Sequence, residues 1–146
     1  MLAVTELGIR KVLPGDMDSV VELEKACFDD PYPRYFLEQL AAANPATFLV
    51  AVVEGRILGY AVIDRWEDHD HLLSIAVSGE HRRRGIGQRL LSAMDATLGS
   101  RQRMRLEVRK RNSAAIRFYL KNGFKETGID EGYYRDGEDA LLMERT

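Results

Sequence analysis

HRRRGIGQRLL, residues 81–91, sets three consecutive arginines against two glycines and then runs into an apolar-periodic segment. From Ile86 the apolar residues fall at 86, 90, 91, 94 and 98, a spacing that puts them on one face of a helix ending near Gly99. The preceding HLLSIAV, residues 71–77, reads as a strand. A strand that turns through glycines into a helix leaves unpaired backbone N–H groups facing outward, with the positive end of the helix dipole behind them. Such a turn is an anion site. Gly85 and Gly87 lack a Cβ and let a phosphate approach the backbone, while Arg82, Arg83 and Arg84 add charge at the same mouth. Two other phosphate motifs do not fit. RGIGQRL has a leucine where a dinucleotide fingerprint needs its third glycine, and no GK[ST] follows for a P-loop. Taken alone, the stretch leaves a solvated basic turn before an ordinary helix as the alternative.

On the N-terminal side, ELGIRKVL alternates apolar and polar residues up to Pro14-Gly15 and reads as a first strand. Asp16 is the expected N-cap of a helix running to about Cys27. The two prolines of FDDPYPRYF predict an aromatic-rich loop, followed by a short helix from Phe36 to Ala43. TFLVAVV and ILGYAVI flank EGR, which signals a hairpin. On the C-terminal side, MRLEVR is a fifth strand and Ser113 to Asn122 a helix closed by Gly123. GFKETG and ALLMER are two further strands. The expected fold class is α/β (α+β): about seven strands in a mixed, mostly antiparallel twisted sheet with about four helices, in a single domain over residues 1–146.

Composition restricts the function classes. The 146 residues are 45% hydrophobic and 30% charged, ordinary for a globular chain and long enough for one core. Cys27 is the only cysteine, so no internal disulfide forms and no zinc-type Cys/His array exists; no metal is expected. His69 and His71 share one strand face, but no third ligand accompanies them in sequence. No run approaches the ~18 apolar residues of a membrane span, and a cytoplasmic location is expected. The net charge of -2 disfavours a general nucleic-acid binder, yet the charge is uneven. Residues 81–111 hold ten Lys/Arg against two acids, whereas residues 1–46 hold eight Asp/Glu against four Lys/Arg. One part suits an anionic ligand and another a cation.

Arg82, Gly85 and Gly87 match the Arg/Gln-x-x-Gly-x-Gly/Ala signature of the GNAT acetyltransferase superfamily. With SIAV before it and LEVRKRNSAAIRFYLKNGF and GYYRDGEDALLM after it, the chain resembles the RimI-type and archaeal N-terminal acetyltransferases over roughly residues 6 to 144. The resemblance implies acetyl transfer from acetyl-CoA (coenzyme A as the spent carrier) to the α-amino group of protein N-termini, ribosomal proteins among them, by direct attack in a ternary complex. It further implies splayed fourth and fifth strands, with Ile75, Ala76 and Val77 pairing by backbone with the pantetheine arm. The turn Arg83, Arg84, Gly85, Ile86, Gly87 and Gln88 would cradle the pyrophosphate, and Asn112 would contact the cofactor. Glu107 and Tyr119 match the family's general base and general acid. Phe28, Pro31 and Tyr32 would wall the peptide groove, and Tyr133 and Tyr134 would hold the substrate backbone with their hydroxyls.

These roles have their own chemical sense. An N-terminal ammonium has a pKa of ~7.7 to 8.0, so a carboxylate that removes its proton makes the nucleophile. The departing thiolate gains from a proton donor, which a phenol can be. Asp29, Asp30 or Glu24 could attract the ammonium or serve as a second base. The bland alternatives are Glu107 paired with Arg105 or Arg109, Tyr119 as core, and one of Tyr133 and Tyr134 turned away by strand alternation. Two other readings of the whole chain remain at this point: acetylation of a small-molecule amine or lysine side chain on the same scaffold, and a non-catalytic RNA- or partner-binding domain. The expected partner is a peptide N-terminus, with no nucleic acid and no membrane; an auxiliary subunit or ribosome contact is not legible in the sequence.

Overall fold

The computed structural model describes residues 6–99 and 103–146. Seven strands and four helices follow one another as β1 (Gly8–Lys11), α1 (Met17–Cys27), α2 (Arg34–Ala43), β2 (Phe48–Val53), β3 (Arg56–Arg65), β4 (His69–Val77), α3 (Ile86–Leu98), β5 (Arg103–Arg109), α4 (Ser113–Lys121), β6 (Lys125–Asp130) and β7 (Ala140–Arg145). The strands form one sheet in the order β1-β2-β3-β4-β5-β7-β6. The β4–β5 pair is parallel and the other registered pairs are antiparallel, as the α/β reading expects. By its contacts the chain divides into two compact units, residues 1–64 with 74–100 and residues 65–73 with 101–146, so β4 passes from one to the other.

In the first unit, β2 and β3 are joined through Glu54 and Gly55, both at positive φ (49° and 77°). Two such residues match the right-handed twist of a tight hairpin. The register shifts between Ala51 and Val52. The core takes Phe48, Val50, Tyr60, Val62 and Ile63 from the hairpin and Ile86, Leu90, Leu91, Met94 and Leu98 from α3, the face that the apolar spacing assigns. Each such side chain stabilises the fold by about 1.5–3 kcal/mol when removed from water.

Asp16 departs from the expected cap. A short 3-10 turn, Pro14–Asp16, precedes α1, and the Asp16 side chain bonds no helix N–H there. Its carboxylate instead accepts from the Arg10 guanidinium at 2.7 and 3.0 Å and from Leu13 N–H at 2.7 Å. It ties β1 to the turn. The second helix begins at Arg34, two residues earlier than the sequence suggests, because Pro33 supplies an extended N-cap (φ -69°, ψ 157°) and the helix can start directly after it.

In the second unit, β5 pairs with β7 over Met104–Arg109 and β7 with β6. The register of β4 with β5 covers only His69–His71 against Arg103–Arg105. Along β5, Met104, Leu106 and Val108 are buried, whereas Arg105, Glu107 and Arg109 alternate onto the more open face. Asn112 caps α4 by accepting from Ala115 N–H at 3.2 Å, and Gly123, at φ 91°, closes the helix as the sequence indicates. Among the described residues no helix is long and apolar enough to cross a membrane.

Candidate functional site

The turn after β4 leaves the N-terminus of α3 without a side-chain cap. Gly79–His81 form a 3-10 turn, Arg83 takes positive φ (64°), and Gly85 sits left-handed (φ 81°) as the N-cap of α3. No side chain caps the helix, and the first N–H to bond back is that of Arg89, to Gly85 O at 3.0 Å. A Cβ added at Gly85 would meet no atom within 4 Å, so the space over the turn is open. A phosphate fits the donors of this first turn.

The three arginines separate. Arg82 is turned back onto its own fold: Nε donates to Val77 O at 3.3 Å and a terminal nitrogen lies 3.5 Å from Cys27 Sγ. The Cys27 thiol in turn donates to Val77 O at 3.4 Å. Arg82 therefore braces the end of β4 against α1. Arg83 is exposed and Arg84 half-buried at the turn itself. Gln88 reaches Ser92 Oγ at 3.3 Å along α3. The Asn112 carbonyl oxygen is engaged in its helix cap.

The loop between α1 and α2 carries Phe28, Pro31 and Tyr32, all half-buried, with the Tyr32 and Phe36 rings 4.9 Å apart. Glu24 positions this loop. Its carboxylate is buried and accepts hydrogen bonds from the Tyr60 hydroxyl, from Ser74 Oγ at 3.2 Å and from Tyr32 N–H at 2.9 Å. Burial and the neighbouring carboxylate hold the Tyr60 phenol well above its ordinary pKa, so it stays a donor. Both Glu24 oxygens are thus committed within the fold, which corrects the idea that Glu24 attracts the ammonium.

Glu107 is not neutralised by its neighbouring arginines. Arg105 pairs with Glu144 at 2.8 Å, and Arg109 pairs with Asp136 at 2.9 Å and Glu138 at 2.8 Å. His71 Nε2 instead lies 2.9 Å from both Glu107 oxygens, and the Tyr133 hydroxyl lies 3.5 Å from one of them. His69 Nε2 continues the chain to His71 Nδ1 at 3.0 Å. Trp66 stacks on the His71 ring at 4.8 Å and meets His69 edge-on at 4.6 Å, which gives that tryptophan its place. Sequence reasoning missed the role of His71. Its signal was the two-residue spacing with His69, but the link to Glu107 needs the register of β4 on β5.

Tyr119 is buried, with the Phe118 and Phe124 rings 5.5 and 5.6 Å away. Burial pushes its phenol well above the ordinary value, so at neutral pH it holds its proton. Residues 131–139 form a loop, and strand alternation does not separate Tyr133 from Tyr134. Their rings touch at 4.9 Å. The Arg109 guanidinium lies 4.1 Å from the Tyr134 ring centroid, and Arg109 and Arg111 both grip Glu138. These bonds hold the loop, and they lower the Glu138 pKa to about 2. Among the described residues no group of three or more His, Cys, Asp and Glu is placed to hold a metal ion.

Residues 17–124 match the acetyltransferase (GNAT) family. The chain is 36% identical over 154 residues to an N-alpha-acetyltransferase of Sulfurisphaera tokodaii, an overlap that covers 94% of this chain and 92% of that protein. Its fold superimposes on the crystal structure of Ard1 from Thermoplasma volcanium with a TM-score of 0.91, at 31% identity, covering 96% of this chain and 97% of that one. The ribosomal-protein-S18-alanine N-acetyltransferase of Escherichia coli aligns with a TM-score of 0.82 at 27% identity, covering 95% and 92%. With the strand order, the glycine turn after β4 and a match over most of its length, this chain belongs to the acetyltransferase (GNAT) family and is an N-acetyltransferase.

Proposed function

We propose that the protein transfers the acetyl group of acetyl-CoA to the α-amino group of protein N-termini, in a single domain acting in the cytoplasm. The relatives named for N-terminal acetylation support the acceptor class. The observation that carries the chemistry is Glu107: a half-exposed carboxylate bonded to an imidazole and a phenol while the arginines beside it are committed elsewhere. Such a group can accept a proton from an ammonium.

In this reading, the uncapped N-terminus of α3 with Arg83, Arg84, Gly85, Ile86, Gly87 and Gln88 holds the pyrophosphate of acetyl-CoA. Arg82 fixes the carbonyl end of β4 from which that turn departs, and Ile75–Val77 pair with the pantetheine arm. The Val77 N–H faces the thioester oxygen and stabilises charge developing there. Asn112, which caps the start of α4, contacts the cofactor. Phe28, Pro31 and Tyr32 form the apolar wall of the peptide pocket, held by Glu24, and the Tyr133 and Tyr134 hydroxyls orient the peptide backbone. Glu107 removes a proton from the N-terminal ammonium, the amine attacks the thioester carbonyl, the C–S bond breaks as Tyr119 gives its proton to the departing thiolate, and the second proton lost by the nitrogen as the amide forms restores the Tyr119 phenol. Cys27 lies in the α1 end against Val77 O and Arg82, and an acetyl-enzyme has no place in the scheme.

Purified protein given acetyl-CoA and short peptides with free N-termini should release CoA at a rate that saturates with peptide. Release with free polyamines and with no peptide would overturn the assignment. A panel of peptides beginning with Met, Ala, Ser, Thr, Leu or Glu then ranks the preferred first residue.

A further inference from the structure

Four side chains of the second unit form a continuous file. Glu107 meets His71 Nε2 at 2.9 Å, His71 Nδ1 meets His69 Nε2 at 3.0 Å, and His69 Nδ1 meets Asp68 Oδ1 at 2.8 Å. The two imidazoles are buried, with side chains 3% and 9% exposed, while the Glu107 side chain is 23% exposed and that of Asp68 72%. The file therefore starts at a carboxylate placed for proton removal, crosses the interior through two rings, and ends in water. Trp66 lies against both rings and fixes their mutual tilt of 65°.

Proton counting shows what the file can do. Its three hydrogen bonds need three protons. Two neutral imidazoles bring one each, and two ionised carboxylates bring none. With only those two protons, one junction sets acceptor against acceptor: a bare ring nitrogen on a carboxylate, or the two rings on each other. A third proton satisfies every junction, on Glu107, His71, His69 or Asp68, and two of these four states place it at an end of the file. In the first, Glu107 carries it and donates to His71 Nε2, His71 Nδ1–H donates to His69, and His69 Nδ1–H donates to Asp68. In the second, every proton has moved one step outward: His71 Nε2–H donates to an ionised Glu107, His69 Nε2–H donates to His71, and Asp68 carries the proton that it shares with His69 Nδ1. The first state is the one produced when Glu107, facing two rings that carry their protons on Nδ1, takes a proton, and the second has carried that proton to the outer end.

We propose that His71, His69 and Asp68 form the outlet through which the proton taken up by Glu107 leaves for solvent. The proposal rests on Glu107 as the base of the proposed reaction. His69 and His71 are positioning residues that hold and pass the proton. The step balances: an N–H bond of the substrate ammonium breaks as an O–H bond forms on Glu107. The Glu107 proton then goes to His71 Nε2, the His71 Nδ1 proton to His69 Nε2, and the His69 Nδ1 proton to Asp68 Oδ1. Asp68 hands its proton to water, and both rings return from the Nε2–H to the Nδ1–H form before Glu107 can pass on another. The groups around the file suit this direction. Tyr133 donates to the Glu107 end at 3.5 Å. At the other end the bond from His69 holds the Asp68 carboxyl below its ordinary range, with the Arg105 charge acting the same way, so that Asp68 sheds a proton readily.

The test uses the whole protein with histidine rings labelled with nitrogen-15. Asp68 is exposed, so Asp68→Asn leaves packing intact. The neutral amide can meet His69 Nδ1 with either N–H or Oδ1, so it no longer favours the Nδ1–H form as the carboxylate does, and the Nε2–H form of His69 and, through it, of His71 gains population. A ring-nitrogen shift at both histidines is the expected result, and an unmoved His71 overturns the file as a connected path. In turnover, His69→Ala should lower kcat about tenfold or more, with KM for peptide and acetyl-CoA within about twofold of wild type. Added imidazole should restore the rate in proportion to its concentration. An unchanged kcat, or a loss that imidazole does not repair in a protein of normal far-ultraviolet circular dichroism, overturns the outlet. Wild-type turnover in Glu107→Gln would instead remove the base assignment, a different outcome from failure of the outlet.

Discussion

Glu107 lies half-exposed on β5 with His71 on both of its oxygens, while Tyr119 is buried on α4 among aromatic rings. The carboxylate is open to an incoming ammonium, and the phenol is kept protonated by burial. Glu107→Gln should lower kcat by about 100-fold, within the usual range for removing a general base. The residual rate should follow the free-amine fraction, rising about tenfold per pH unit below the amine pKa of ~7.7 to 8.0 and levelling above it. A pH profile with the wild-type form and height would take Glu107 out of the reaction. Tyr119→Phe removes only the hydroxyl, so the core packing survives. Turnover should fall by about 100-fold or more, while the acetyl-CoA dissociation constant, measured by calorimetry, stays within about twofold. Weaker acetyl-CoA binding with unchanged turnover would make Tyr119 a binding residue.

The strand-turn-helix element from β4 into α3 owes its precision to close backbone packing. A Cβ at Gly59 would stand 2.9 Å from Ala76 O and 3.3 Å from the Ile86 and Leu90 side chains, so β3 can lie against β4 and α3 only with glycine there. Gly59→Ala should destabilise the protein by about 1–3 kcal/mol, the cost of forcing extra volume into a packed interior. A denaturant midpoint equal to that of wild type would show that β4 gives way freely. The loop 131–139 rests on charge instead. Glu138 is gripped by Arg111 and Arg109, which lower its pKa from 4.5 to about 2. A depressed carboxylate stabilises the fold above its unfolded pKa and loses that contribution as pH falls through the folded one. Wild-type stability should therefore drop between pH 4.5 and 2, and Glu138→Gln should start lower at neutral pH and change less across that window. Parallel stability curves would mean that the grip adds nothing to folding.

Across the whole molecule, hydrophobic period and turn chemistry made the elements legible. The face of α3 at 86, 90, 91, 94 and 98, the EGR hairpin and the closure of α4 at Gly123 are all where local sequence puts them. The start of α2 and the work of Asp16 were not, because Pro33 as a cap and the Arg10 pairing depend on neighbours that local pattern does not contain. The same limit applies at the site. The glycine turn before α3 is a local feature and could be read from one stretch, whereas the occupation of Glu24 by Tyr60 and Ser74 joins residues 14 to 50 positions apart. His71 beside Glu107 spans 36 positions and follows only from the pairing of β4 with β5. The central claim is the acceptor: an α-amino group. It is tested by giving the protein acetyl-CoA and a peptide that carries both a free N-terminus and an internal lysine, then locating the acetyl group by fragment mass spectrometry. Acetylation of the N-terminal amine, abolished when that amine is blocked beforehand, is the predicted result; acetyl on the lysine side chain, persisting in the blocked peptide, would contradict it.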